Sequence, residues 1–369
     1  MTETEYKNHR LKKYKFKCKT VTPLFIDSGE EALSRWDYVK DSNNTMIVQQ
    51  DKLVELLEIL NININDSITQ KVKDILNSPQ EQEADWGLSA LLGRNFSTKL
   101  TKEQKKSFFI NLGIYPKNIK NLNTDVNSSS RNSSNKKNEE APKNIKLFIG
   151  AKNDQPYIPG SSIKGMLISS LYHKLYTAKS GKANDDEYKE QLKTIKEKYS
   201  AFIKISDCYI NSNNLKLMHL NTQITPKKQS KNKNNEIDLE LAQVFDRSQD
   251  FEFILTIEQP VGSDLNFNIQ TLKESLLEYH SKQLRHLRTH HSPIMQKFLS
   301  DFDKELEGDI FRFGYGAGKM SKSSLPYTLD DPNNGEKIID SFKMVVDKNF
   351  SGLLGWCELL DIEELSNDI

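Results

Sequence analysis

The sequence contains few of the residues that would place it in an extracellular or membrane class. Its three cysteines, Cys18, Cys208 and Cys357, lie far apart and match neither a zinc-ligand spacing nor a disulfide framework. No run of about 18 apolar residues is present, and the N-terminal segment has no apolar signal core. These absences predict a cytoplasmic protein with no membrane association.

An excess of charge of either sign is also lacking. The 369 residues include 52 Lys and Arg and 51 Asp and Glu, so the formal net charge at pH 7 is +1. A protein with this balance has no overall field that would attract a polyanion. Any nucleic-acid binding therefore has to come from a local group of basic residues.

Large apolar side chains are nearly absent from two segments. Residues 121–144 are rich in Asn and Ser, and burial there cannot compensate for the entropy of ordering, which predicts a disordered loop. Residues 225–235 form a second polar loop that is basic. Its lysines are either solvated or able to close over a nucleic-acid backbone.

The most informative pattern lies between residues 156 and 177. A Pro-Gly break follows a short extended run, and Ser161 or Ser162 then supplies the oxygen that caps a helix with one apolar stripe. First-turn amides, two hydroxyls and the Lys164 ammonium, beside Gly160, favour an anion such as phosphate. An ordinary strand-turn-helix junction, with serines that only cap the helix, is the alternative.

A second candidate binding segment is rich in glycine. Gly314, Gly316 and Gly318 alternate after a predicted strand and leave the backbone uncovered on one side, where a ligand backbone can pack. The same segment carries charged side chains and one aromatic ring suited to stacking on a base; these are Arg312, Lys319, Lys322 and Tyr315. The spacing differs from the dinucleotide-binding fingerprint.

The order of the remaining elements predicts the fold. We expect strands at 14–24, 202–210, 251–258 and 309–315 and helices at 161–177 and 269–288. This βαββαβ order predicts an α+β protein with a ferredoxin-like, RNA-recognition-motif-like core and large helical and disordered insertions. The first strand would occupy residues 1–29. A helical insertion with the loop at 121–144 would occupy 30–145. The rest of the core, the glycine-rich loop and a C-terminal strand followed by a solvated acidic tail would occupy 146–369.

Basic and titratable groups elsewhere leave alternatives open. Lys15, Lys17 and Lys19 alternate with apolar residues, so the outer face of the first strand is either solvated or borders a polyanion. His286 and His290 have the spacing of two metal ligands, but no Glu accompanies them. The favoured interpretation is a cationic helix end, and the second is an RNA-facing patch. We predict no catalytic residues, metal or cofactor.

Taken in order, four segments resemble the RAMP superfamily of CRISPR proteins and, within it, the family of the fifth subunit of type III-A Csm effector complexes. The segments are Thr22–Glu30, Tyr157–Gly165, Phe313–Gly318 with Ser321–Ser323, and Leu354–Trp356. They bracket most of the chain, and their ordered combination is more specific than any one of them.

The resemblance implies a non-enzymatic backbone subunit of an antiviral ribonucleoprotein. Such a subunit binds the 3′-end of the crRNA, caps the filament of third Csm subunits, has the second subunit as a further partner, and supports 3′-end maturation by host trimming nucleases. By the same resemblance, Gly160, Ser161, Ser162 and Lys164 lie at a crRNA-facing helix start. The three loop glycines lie near the same groove.

Two positions depart from the family pattern, and two other functions compete. Asp27 adds a negative charge to the first motif, and Ile168 stands where relatives often have Arg. One alternative is a RAMP endoribonuclease that processes CRISPR repeat RNA by histidine acid-base chemistry; the available histidines are His9, His173, His286, His290 and His291. The other is a third Csm subunit that uses Asp27 in target cleavage. The chain length, the insertion and the Leu354–Trp356 segment argue against it.

Overall fold

The computed structural model describes residues 9–30, 32–34, 36–41, 44–62, 70, 72–73, 87–93, 96–114, 144–150, 155–175, 185–224, 239–260, 268–288, 293–305, 308–314, 341–346 and 351–366. The strands are β1 (His9–Thr20), β2 (Tyr38–Asp41), β3 (Asn44–Val48), β4 (Phe109–Ile114), β5 (Ile145–Lys146), β6 (Tyr157–Ile158), β7 (Ile203–Ile205), β8 (Cys208–Tyr209), β9 (Leu215–Ile224), β10 (Leu239–Phe245), β11 (Asp250–Pro260), β12 (Asp309–Arg312), β13 (Ser341–Val346), β14 (Ser351–Leu353) and β15 (Trp356–Leu365). The α-helices are α1 (Leu53–Ile59), α2 (Leu88–Leu92), α3 (Lys102–Phe108), α4 (Gly160–Leu175), α5 (Asp185–Ser200), α6 (Ile269–Arg288) and α7 (Pro293–Glu305).

β1 lies at the centre of a five-stranded sheet with the order β12-β15-β1-β11-β7, called the first sheet below. Both neighbours of β1 are antiparallel to it. Alternation along β1 buries Tyr14, Phe16 and Cys18 on one face. Phe16 lies opposite Phe253 of β11, and their rings stack with centroids 4.8 Å apart. This face, as the sequence predicts, belongs to the core.

Two long helices cover the inner face of the first sheet. Apolar side chains of α4 and α6 share one hydrophobic cluster with those of β1 and β11; the helical members are Ile163, Met166, Leu167, Ile168, Leu171, Leu272 and Leu276. The sequence predicts most of this stripe on α4, although Leu175, which the helical spacing places in it, is exposed. Both helices form close to the expected bounds. Ile168 is buried in this cluster, so the residue that departs from the family pattern serves as a packing side chain.

The C-terminal strand differs from the prediction. The expected strand at 309–315 is β12, but it lies at the edge of the sheet, and β15 is the strand next to β1. β15 also runs to Leu365, through the acidic segment predicted to be a solvated tail. The pairing of β15 with β1 buries Cys357 and Leu359, and it brings Asp361 and Glu363 to the ammonium of Lys17, more than 300 residues away in the sequence.

A second five-stranded sheet, with the order β14-β13-β9-β10-β5, is absent from the predicted element order. The predicted apolar strand at 353–359 overlaps this sheet only at Leu353 and continues into β15 of the first sheet. β9 and β10 border residues 225–238, which lie outside the described residues together with the predicted basic loop. A separate hydrophobic cluster joins α6 and α7 to β13 and β14. It connects the second sheet to α6, one of the two helices that cover the first sheet.

The segment from 30 to 145 is mixed rather than helical. Three antiparallel strands in the order β2-β3-β4 accompany α1, α2 and α3 around a hydrophobic cluster of their own. The strands were missed because each is short and carries few strictly alternating apolar residues. The predicted disordered loop lies outside the described residues except for Asn144. Among the helices that the structure describes, none is both long and apolar enough to cross a membrane.

Candidate nucleic-acid interface

Three of the four motif segments meet at the end of the first sheet. The Gly355 N–H donates to the carbonyl of Pro23 at 2.9 Å, and the Phe313 N–H donates to the carbonyl of Gly355 at 3.0 Å. The Trp356 N–H donates to Thr22 Oγ1 at 2.9 Å. The first and last of these segments, which are more than 300 residues apart in the sequence, are thereby held together by hydrogen bonds.

The glycines at this meeting point are required by contacts within the protein. Gly314 has φ +97°, and a Cβ there would lie 2.7 Å from Leu24 Cδ1 and 2.8 Å from the Phe25 carbonyl oxygen. Gly355 has φ +82°, and its Cβ would clash with the Phe313 carbonyl. The sequence predicts that Gly314 leaves its backbone uncovered for a ligand. In the structure, Leu24 and Phe25 of the same chain pack against the uncovered side of Gly314.

The remaining motif segment, which begins α4, lies beside the first through a short bridge. The Ile149 N–H donates to the Ile26 carbonyl at 3.0 Å, and the Tyr157 N–H donates to the Ile149 carbonyl at 3.4 Å. Residues 147–149 therefore lie between the turn that follows β1 and the strand that leads into α4. All four motif segments belong to one continuous region.

The first amide of α4 already binds an anion that the chain supplies. The Gly160 N–H donates to Asp207 Oδ1 at 2.8 Å, although the sequence predicts that this amide is unpaired. A Cβ at Gly160 would clash with the Ile205 carbonyl, so the loop after β7 occupies the close approach that glycine permits. Asp207 itself is exposed. The predicted preference of this helix start for negative charge is therefore met by an exposed carboxylate of the same chain.

Ser161, Ser162 and Lys164 leave polar groups at the surface of the helix start. Ser161 is exposed, whereas Ser162 and Lys164 are half-buried. Lys164 Nζ donates to the Ser200 carbonyl at the end of α5, at 2.6 Å. Burial, and secondarily the nearby Lys204 ammonium, lower the pKa of Lys164 below its ordinary value. The Lys204 ammonium is itself paired with the carboxylate of Glu258, so the Lys164 ammonium is the charge at the helix start that a bound anion would stabilise.

Arg312 lies inside the protein. Only 4% of its surface is exposed, its Nε donates to the Leu354 carbonyl at 2.9 Å, and its Cζ lies 5.6 Å from the Trp356 ring centroid. Burial lowers the pKa of Arg312 to about 9. The sequence predicts that this side chain contacts RNA. In the structure, it extends from β12 and contacts the Leu354–Trp356 segment instead.

The other predicted residues of the glycine-rich segment lie outside the described residues. They are Tyr315, Gly316, Gly318, Lys319 and Lys322. Their roles stay predictions.

The outer face of the first sheet is compensated in charge. Lys15 Nζ lies 2.6 Å from Glu252 of β11, and Lys17 Nζ lies 3.3 Å from Glu363 and 3.4 Å from Asp361 of β15. Hydrogen bonds to Glu363 and then to Asp361 raise the pKa of Lys17. The structure therefore favours a solvated outer face over one that borders a polyanion.

The histidines that the structure describes with their side chains are buried. His173 packs on Tyr279 with ring centroids 5.4 Å apart, and both nitrogens of His280 lie within 2.9 Å of main-chain carbonyls. Burial lowers the pKa of His280 to about 4. His290 and His291 lie outside the described residues, and the side chains of His9 and His286 are not described. Within the described part of the chain, no three His, Cys, Asp or Glu residues are grouped as metal ligands.

Sequence reasoning missed two side chains beside the helix start. It treats 202–210 as one strand, whereas Ser206 and Asp207 separate β7 from β8. That break brings Asp207 to Gly160 and places Tyr209 opposite Tyr157. The Ser-Asp pair, a common turn signal, could have indicated the break.

Comparison with protein families gives a match over most of the chain. The model of the RAMP superfamily matches residues 17–320. A Methanocaldococcus jannaschii protein named CRISPR system Cms protein Csm5 is 21% identical to the chain over 372 residues, covering 90% of this chain and 78% of that protein.

Solved structures resemble the fold over nearly its full length. One is a chain of the cryo-EM structure of a Csm-crRNA-target RNA ternary complex of a type III-A CRISPR-Cas system. It has a TM-score of 0.64 and 13% identity, and the alignment covers 94% of this chain and 100% of that one. Another is the crystal structure of T. onnurineus Csm5, with a TM-score of 0.58, 14% identity and coverage of 93% and 100%.

Proposed function

Since the chain belongs to the RAMP superfamily, we propose that it is a backbone subunit of a type III-A Csm complex that binds crRNA. The similarity to Csm5 in sequence and in fold supports this proposal. The observation that carries it is the start of α4, where the side chains of Ser161 and Ser162 and the half-buried Lys164 ammonium lie in the region joined by the four motif segments. This arrangement suits a phosphate of a sugar-phosphate backbone.

Within that complex, we place the subunit at the 3′-end of the crRNA. It caps the filament of third Csm subunits, has the second subunit as a further partner, and supports maturation of the crRNA 3′-end by host nucleases. The protein acts by binding rather than by catalysis. The burial of His173 and His280 offers no support for the endoribonuclease alternative.

We also assign a ferredoxin-like core to the first sheet. Without β12, its order is β15-β1-β11-β7, with α4 following β1 and α6 following β11 in the chain. β15 then acts as the fourth strand of the βαββαβ unit. In this assignment the motif segments meet at one end of the core, and the domain boundaries at residues 29 and 145 remain a proposal.

Charge reversal at Lys164 tests the function. In a host that expresses the other subunits and crRNA, Lys164→Glu should reduce the crRNA that co-purifies with the protein by about tenfold or more, because it places a carboxylate at the proposed phosphate position. Lys17→Glu is a matched control that changes the net charge equally on the outer face of the first sheet. Complexes with Lys164→Glu that hold crRNA as well as the parent would refute the assignment.

A further inference from the structure

An aromatic pair stands beside the start of α4. β6 and β8 form an antiparallel ladder of two residue pairs, with Tyr157 opposite Tyr209 and Ile158 opposite Cys208. Side chains alternate across a strand, and Ile158 and Cys208 are buried in the main cluster, so the two tyrosines share the other face. Their ring centroids lie 6.0 Å apart at 46°. Tyr209 is 64% exposed.

Backbone contacts hold the aromatic pair in place. Gly150 has φ +76°, and a Cβ there would lie 2.9 Å from Tyr157 Cδ1, so the ring of Tyr157 packs directly on the glycine backbone. The Ile210 N–H donates to the Pro156 carbonyl at 2.9 Å and extends the pairing of the two segments. Tyr209 therefore presents an exposed ring from a paired backbone, and a tyrosine side chain has only two torsion angles to order on binding.

The polar groups next to the pair suit a nucleic-acid backbone. Tyr157 precedes Gly160 by three residues, and Asp207, which accepts the Gly160 N–H, lies two residues before Tyr209. The first turn of α4, which carries Ser161, Ser162 and Lys164, therefore follows Tyr157 closely in the chain and is joined to the Tyr209 segment through Asp207. A ring for a base next to donors for a phosphate is the arrangement used for single-stranded nucleic acid. The outer face of the first sheet, with its paired lysines, offers no such combination.

We infer that Tyr209, supported by Tyr157, stacks on one unpaired nucleobase of an RNA whose backbone follows the start of α4. The inference rests on the proposed function and adds a base-contacting residue to it. Stacking of this kind accepts any of the four bases, because each has a π-face. The hydroxyl of Tyr209 has no part in it, and the ring alone provides the contact.

Four variants, compared with the parent, test the inference by fluorescence anisotropy with a labelled single-stranded RNA. Relative to the parent, Tyr209→Ala should weaken binding roughly 5- to 150-fold, the range that corresponds to loss of one base stack. Tyr209→Phe should bind like the parent. Tyr209→Leu keeps an apolar side chain but has no π-face, so it should lose most of the affinity. Leu360→Ala, which removes another exposed apolar side chain, should change nothing.

Photocrosslinking gives an independent readout. RNA that contains 4-thiouridine should crosslink within β8 of the parent, and Tyr209→Ala should abolish that crosslink while its thermal unfolding midpoint stays close to that of the parent. If the parent binds RNA and Tyr209→Ala binds it within twofold, the inference is wrong and the proposed function stands. If Tyr209→Leu retains RNA while Tyr209→Ala loses a neighbouring subunit, the pair is a protein contact instead. A parent that binds no RNA, alone or in the complex, refutes both.

Discussion

Gly355 is the residue whose backbone most tightly constrains the meeting point of the motif segments. Its φ of +82° is unfavourable for any residue with a side chain, and a Cβ would also strike the Phe313 carbonyl. We expect Gly355→Ala to lower the free energy of unfolding by about 3 kcal/mol or more, since backbone strain and overpacking add. Denaturant unfolding followed by circular dichroism measures this change.

Gly29→Ala separates the two causes. Gly29 has a similar φ of +74°, but a Cβ there would meet nothing within 4 Å. The substitution should therefore cost only the backbone term, about 1 to 2 kcal/mol. An equal loss in the free energy of unfolding for Gly355→Ala and Gly29→Ala would show that the contact with Phe313 contributes little.

The sequence indicated which residues matter more reliably than it indicated what they do. The sequence predicts Gly160, Gly314 and Arg312 as ligand contacts, and each lies at a structurally constrained point. In all three cases, the protein itself occupies the space or the hydrogen bond that the ligand was expected to take. A local pattern shows that a backbone must be approached closely, but it does not identify the group that approaches. That group came from residues at least 40 positions away in the chain.

At the scale of the element, the start of α4 holds an internal anion in the position proposed to attract an external one. The carboxylate of Asp207 accepts the Gly160 N–H from an exposed position. We expect Asp207→Ala to destabilise the protein by about 1 kcal/mol, the usual effect of removing a helix cap. The same change should raise RNA affinity roughly threefold to tenfold, because a negative charge near the proposed phosphate is lost.

The opposite signs of these two effects make the prediction specific. Asp361→Ala is the control, since Asp361 is also an exposed carboxylate but lies on the outer face of the first sheet beside Lys17. It should leave RNA affinity unchanged. Weaker RNA binding by Asp207→Ala would mean that Asp207 only shapes the helix start and does not compete with phosphate.

At the scale of the whole molecule, periodicity within single segments predicted the α+β class and the central elements β1, α4, β11 and α6. These elements bury strongly patterned faces, and such faces can be recognised one segment at a time. The choice of β15 over β12 as the neighbour of β1 could not be made in this way. It depends on long-range partners, such as Lys17 with Asp361 and Glu363. The second sheet likewise joins strands that are far apart in sequence, and none of its strands has a decisive pattern alone.

With a net charge of +1, the whole molecule offers no general attraction for RNA, so its affinity should depend on a few local contacts. For single-stranded nucleic acid, the logarithm of the binding constant falls with the logarithm of salt concentration by about 0.7 per phosphate neutralised. We therefore expect a shallow slope for the parent, and a slope smaller by about 0.7 for Lys164→Gln. Lys17→Gln removes an ammonium that is already paired with carboxylates and should keep the parental slope. Titrations between about 50 and 300 mM salt measure all three slopes; equal changes for the two lysines would show that RNA responds to total charge rather than to the start of α4.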